Sequence, residues 1–150
     1  MADHEAVARR LIEEGFSRGD FSVVDALCAP HLVEHQDFGP DHPAGPEGVK
    51  AVIASLRRAF PDFRIHIEDL AVAGDIVWMR MIGSGTHLGP FMGHGPSGRG
   101  MSIQIFDAMR VEGGMVTEHW GVPDRLAALF QLGLATPPGR PGGVAIAATR

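Results

Sequence analysis

The hydrophobic period of this chain changes at Pro61-Asp62, and that change constrains the fold more than any other feature. Before it, apolar residues recur at helical spacing: Ala8, Leu11, Ile12, Gly15 and Phe16 follow a candidate Asp3 cap, and Val49, Val52, Ile53, Leu56 and Phe60 follow Pro46. Between them Phe21 to Leu27 reads as a short helix, capped by Asp20 and ended by Pro30. His31 to Asp37 reads as a short extended segment. After Pro61, Phe63, Ile65 and Ile67 alternate with Arg64, His66 and Glu68, and the period of two continues through Val77, Met79 and Met81. It returns in Met101 to Val111 and in Met115 to Gly121, with Ala73-Gly74-Asp75 and Gly113-Gly114 as hairpin turns. Pro123 to Leu132 then reads as a last helix, stopped by Gly133. Helices first and strands afterwards predict an α+β fold in which a curved, mainly antiparallel sheet wraps the N-terminal helices.

With 150 residues there is room for one domain, expected over 1–134, and the pattern-free segment 135–150 is expected to be a flexible tail in which Val144 and Ile146 could dock on a partner. A formal charge of −5, with the 13 basic residues scattered, excludes a nucleic-acid or anionic-membrane surface and favours a small hydrophobic ligand. The single cysteine, Cys28, reads as a buried thiol, so no disulfide framework or thiolate cluster is expected. An acidic N-terminus without an apolar leader, and the lack of any long apolar run, predict a soluble, cytoplasmic protein. There is no tyrosine, which excludes sites that polarise a carbonyl with a phenol.

The strand Met101 to Val111 carries a chemical anomaly. Met101, Ile103, Ile105 and Met109 share one face, and Asp107 falls on it. A carboxylate among hydrocarbon must be paired, hydrogen-bonded or driven towards its neutral form. In the following strand Met115, Thr117, His119 and Gly121 share a face, so the His119 imidazole can meet Asp107 across neighbouring strands. A structural pair of Asp107 with Arg110 is the competing reading, although alternation turns Arg110 to the other face. Trp78, Ile76, Ile82 and Phe106 also fall on that other face, which predicts a homodimer through the convex side of the sheet.

The order of elements, together with AFPDF (Ala59 to Phe63), AGD (Ala73 to Asp75), GTHLGPFMG (Gly85 to Gly93), PSGRG (Pro96 to Gly100) and GMVTEHWGVPD (Gly114 to Asp124), resembles the SnoaL-like polyketide cyclases over residues 5 to 133. The resemblance implies a nuclear-transport-factor-2-like fold, a cone-shaped α+β barrel that dimerises through its sheet. It also implies ring closure of an aromatic polyketide by intramolecular aldol condensation, with no cofactor and no metal. Members of the family often carry Asp after the EHW tryptophan, where this chain has Gly121, so the base is expected elsewhere: at Asp107, His119 or Asp124.

An aldol closure needs a base for a proton α to a carbonyl and a donor for the developing oxyanion. Asp107 is the candidate base and His119 and His87 the candidate assistants, each histidine having a structural alternative as a satisfied core or turn residue. His35 is expected at the pocket mouth, with Phe60, Met79, Phe91, Met92, Met101, Trp120 and Asp124 around the substrate. His31 and His35, with Asp37 on the same face, lie in a short segment that has no helical HExxH pattern and no further ligand at firm spacing, so no metal site is expected. The Gly-rich passage from Gly83 to Gly100 lacks the Lys-Ser/Thr of a phosphate loop and is expected to be a mobile flap. The alternatives are a non-catalytic protein for a small apolar metabolite, or a dehydratase, hydrolase or hydroxylase in the same pocket. Epoxide opening by an Asp-Arg-Asp set is disfavoured because no arginine falls on the predicted pocket face.

Overall fold

The structure is a computed structural model and describes residues 3–139. Residues 140–150 of the expected tail, including Val144 and Ile146, lie outside them.

The N-terminal half builds three helical elements with the expected caps. Helix α1 (His4–Arg10) starts where the Asp3 carboxylate accepts from the Glu5 and Ala6 amides, then widens into a π-helical segment, Leu11–Phe16. That widening sets Leu11, Ile12 and Phe16 along one wall of the cavity described below. Helix α2 (Phe21–Leu27) is capped by Asp20, and α3 (Gly45–Ala59) starts with Pro46 in its first turn and buries Ile53.

The sheet contains β1 (Cys28–Glu34), β2 (Arg64–Ala73), β3 (Ile76–Thr86), β4 (Gly100–Glu112) and β5 (Met115–Pro123), and a last helix, α4 (Arg125–Gln131), follows. The strand order is β1-β5-β4-β3-β2. All neighbours are antiparallel except β1 and β5, so the sheet is mixed and its two edges do not meet. Strand β1 begins three residues earlier than the pattern predicts. Its inward residue is Leu32, whereas Val33 is exposed.

The core lies between the helices and one face of this sheet, with Ala8, Ile12, Val24, Phe60, Met81, Met109 and Val116 almost free of solvent. The opposite face leaves Trp78 and Phe106 more than half exposed and Val122 70% exposed. In the β4–β5 pair, Asp107 stands opposite Gly121 and Met109 opposite His119, which makes Asp107 and His119 diagonal neighbours on the core side. A register shift between Arg110 and Val111 then gives the next inward position to Val116. The predicted shared face of Met115, Thr117, His119 and Gly121 therefore holds only for its last two residues. Among the described residues, no helix is long and apolar enough to cross a membrane.

Candidate active site

Between the helices and the sheet lies a cavity of about 500 Å³, within the range of small-molecule sites. Its deep walls are hydrocarbon: Leu11, Ile12 and Phe16 from the π-helical segment, Leu32 from β1, and Met101, Ile103, Ile105 and Met109 from β4. Into this apolar lining project Glu34, Asp107 and His119.

The three groups form one hydrogen-bonded chain. His119 Nδ1–H donates to the Glu34 carboxylate, 2.8 Å to Oε2 and 2.9 Å to Oε1, and Nε2–H donates to Asp107 Oδ2 at 3.0 Å. The His119 side chain is 14% exposed and that of Asp107 10%. Burial is the largest single influence on the imidazole and pushes its pKa down. The hydrogen bonds from Asp107 and Glu34, together with their charges, outweigh it and hold His119 up at about 10. That upward shift favours the imidazolium form of His119 at neutral pH.

Asp107 Oδ2 is committed to His119, so Oδ1 is the oxygen left for chemistry. It borders a small space over Gly121. A Cβ at that position would lie 3.0 Å from Asp107 Oδ1, 2.9 Å from His119 Cε1 and 2.6 Å from Gln36 Oε1. Glycine at 121 is thus what allows these three side chains to converge. Arg110, the predicted structural competitor for Asp107, instead binds Glu118 at 2.9 Å and Asp75 at 2.6 Å on the outer face.

The structure brings Asp107, His119, Phe91, Met92 and Met101 to the cavity and places the other predicted site residues elsewhere. His35 points outward: its ring stacks on Trp120 at 4.6 Å and its Nε2 lies 2.9 Å from Glu118 Oε2. Strand alternation explains both corrections, because Glu34 and His119 point in and their neighbours His35 and Trp120 must point out. Met79 and Phe60 are buried core residues off the cavity wall. Asp124 caps α4, accepting from the Ala127 amide at 2.9 Å, while the residues on either side of it, Pro123 and Arg125, reach the cavity.

His87 is also off the cavity wall, and it is fully buried. The Ser97 amide donates to its Nδ1 at 3.1 Å, and its Nε2 is enclosed without a hydrogen-bond partner among the described residues, the ring lying against Phe60 and Phe91. Its backbone ties the Gly-rich loop shut at the base, with His87 N–H to Arg99 O at 2.8 Å and Gly98 N–H to His87 O at 2.9 Å. The expected flap is therefore a strapped loop that holds Phe91 and Met92 against the cavity. Cys28 is buried, and burial pushes its thiol up to about 12, which removes it as a nucleophile.

Sequence reading missed Glu34, Gln36 and Arg125. The first two were legible as the alternate face of the β1 segment, Leu32-Glu34-Gln36, which continues an apolar residue into two polar ones. Arg125 reaches the cavity from the start of a helix, so strand alternation could not reveal it; it corrects the expectation that no arginine borders the pocket. Among the described residues, no group of three or more His, Cys, Asp or Glu side chains is arranged to hold a metal ion.

Comparison with known proteins gives three findings. The family model of the SnoaL-like polyketide cyclases matches residues 6–132. The chain is 30% identical over 91 residues to the aklanonic acid methyl ester cyclases DauD of Streptomyces sp. (strain C5) and DnrD of Streptomyces peucetius. The match takes in 59% of this chain but only 56% and 62% of those two proteins. Among solved structures, TsrD from Streptomyces laurentii superposes with a TM-score of 0.79 at 28% identity, covering 87% of this chain and 95% of that one. IdmH from Streptomyces antibioticus superposes at 0.76 with 32% identity, covering 87% and 99%.

Proposed function

The chain belongs to the SnoaL-like polyketide cyclase family, and from that premise we propose that it closes a ring in a hydrophobic, polyketide-like carbonyl compound by an intramolecular aldol reaction, using acid/base catalysis and no cofactor. The observation that carries this reading is the Asp107 carboxylate, 10% exposed in an apolar cavity and hydrogen-bonded to an imidazolium that Glu34 holds from behind.

In this reading Asp107 Oδ1 removes a proton α to one carbonyl of the bound molecule. The resulting enolate carbon attacks a second carbonyl of the same molecule, forming the carbon–carbon bond and leaving an alkoxide. The Asp107 carboxyl returns its proton to that alkoxide, so the reaction is a net isomerisation and the enzyme is reset. Because both His119 N–H groups are held by carboxylates, His119 orients Asp107 and offsets its charge instead of donating to substrate. The Gln36 amide turns its oxygen, an acceptor, to the same space as Asp107 Oδ1, where it can take a hydrogen bond from a substrate hydroxyl. Apolar walls suit a flat polycyclic carbon skeleton.

Aklanonic acid methyl ester, named for the two relatives' reaction, is the first substrate to assay. Asp107→Asn keeps the shape of the base and removes its basicity. The expected outcome is a loss of kcat by about 10²–10⁴ with ligand affinity retained. An unchanged kcat in the variant would overturn the assignment of the base. A wild-type protein that binds the compound without turning it over would instead favour a non-catalytic carrier.

A further inference from the structure

Among the described residues, Met92 is the one non-glycine residue with a positive φ, +49°. It stands in a two-residue turn of the loop between β3 and β4. The Phe91 amide donates to His94 O at 3.0 Å and the His94 amide donates to Phe91 O at 2.9 Å, with Met92 and Gly93, φ +79°, between them. Reciprocal hydrogen bonds closing over two left-handed residues are the pattern of a type I′ turn, whose first central position favours Asn, Asp or Gly. Methionine there strains the backbone. No packing offsets that strain in the free protein, because Met92 is 49% exposed although it borders the apolar cavity. Its neighbour Phe91 is differently placed, with its ring edge-on against Phe60 at 5.1 Å. The loop also keeps the turn from drifting away. Leu88 N–H and Gly89 N–H both donate to Ala59 O at the end of α3, at 2.9 and 3.1 Å, and His87 pairs with Arg99 and Gly98 at the base.

Resting on the ring-closing reading, which puts a flat polycyclic compound in this cavity, we propose that Met92 is a substrate-contacting residue held ready by its turn: the strained backbone presents the thioether side chain to the cavity, where it covers the ring system of the bound compound. That contact removes the exposed side chain from water and offsets the strain. A thioether suits the task, being flexible, polarizable and favourable against aromatic rings. An asparagine at this position would relax the turn and set a polar amide against the same rings. Stability of the free protein and affinity for the ligand therefore move in opposite directions at this one residue. A residue with a purely structural role in the loop would move them together, since a looser loop both melts earlier and binds less.

The test compares Met92→Asn and Met92→Leu with the wild type, all as full-length protein. Each is melted without ligand and titrated calorimetrically with methyl anthraquinone-2-carboxylate, a flat, neutral aromatic ester. Met92→Asn is expected to melt about 2–4 °C higher than the wild type and to bind the probe at least about fivefold more weakly. Met92→Leu keeps both the strained backbone and an apolar side chain, so its melting temperature is not raised and its affinity stays within about twofold of the wild type. A melting temperature that does not rise in Met92→Asn removes the strain, and wild-type affinity in that variant removes the contact; either result overturns the proposal. A wild type that does not bind the probe overturns it as well. Only melting and binding are read, so the ring-closing reading fails separately, on turnover by Asp107→Asn.

Discussion

Asp107, His119 and Glu34 form one hydrogen-bonded chain, and His119 ties the stability of the fold to pH. The His119 pKa is raised from 6.5 to about 10, so its protonated form is what the fold favours. The stability it contributes is fully present below about 6.5 and is lost as pH rises towards about 10. Ring-nitrogen NMR of His119 is therefore expected to report an imidazolium through neutral pH and a titration near 10; a midpoint near 6.5 would remove the charge from the site. Glu34→Gln withdraws one of the two carboxylates. It is expected to lower the His119 midpoint and to destabilise the protein by roughly 1–3 kcal/mol, read as a shift in denaturant midpoint at neutral pH. Gly121→Ala puts a methyl group within about 3 Å of all three converging side chains. A fall in kcat with little change in melting temperature is the expected result, since the crowded atoms are side-chain ends at the cavity and not core.

At the scale of elements, two devices position the site: the diagonal pairing of β4 with β5, and the strapped loop after β3. The loop's base leaves no room for a side chain, since a Cβ on Gly89 would sit 2.1 Å from Arg58 O. Gly89→Ala is expected to loosen the loop at a cost of roughly 1–3 kcal/mol and to raise KM through Phe91 and Met92, which a combined melting and kinetic measurement separates from an effect on kcat. The same elements show what a sequence can and cannot disclose. The switch of period at Pro61, the Asp3 and Asp20 caps and the two hairpin turns were all legible because each is set by neighbours in the chain. Asp107 and His119 were legible for the same reason, each lying on the inward side of its own strand. Glu34 was not, because β1 reaches β5 by a parallel pairing that no local pattern specifies. His35, Trp120 and His87 were misplaced for related reasons. The first two lie one residue from a side chain that lines the cavity, and His87 stands where the strand gives way to a loop and its direction depends on Ser97, ten residues on.

For the whole molecule, the outer face of the sheet is the feature that the chain alone leaves open. Trp78, Phe106 and Val122 stand more than half exposed around a shallow apolar depression that includes Trp120. We propose that a second copy covers this face, since an apolar patch of three such side chains on a sheet is costly in water. Trp78→Glu with Phe106→Glu is expected to halve the mass seen by sedimentation while leaving the far-ultraviolet circular dichroism intact; a wild type that sediments as a monomer would refute the dimer. The account as a whole turns on proton removal from carbon by Asp107. Its most direct test is the wash-in of solvent deuterium at the α-carbon of aklanonic acid methyl ester, followed by mass spectrometry with the wild type and with Asp107→Asn. The account predicts exchange about 10²–10⁴ times faster with the wild type, and equal exchange rates for the two proteins would contradict it.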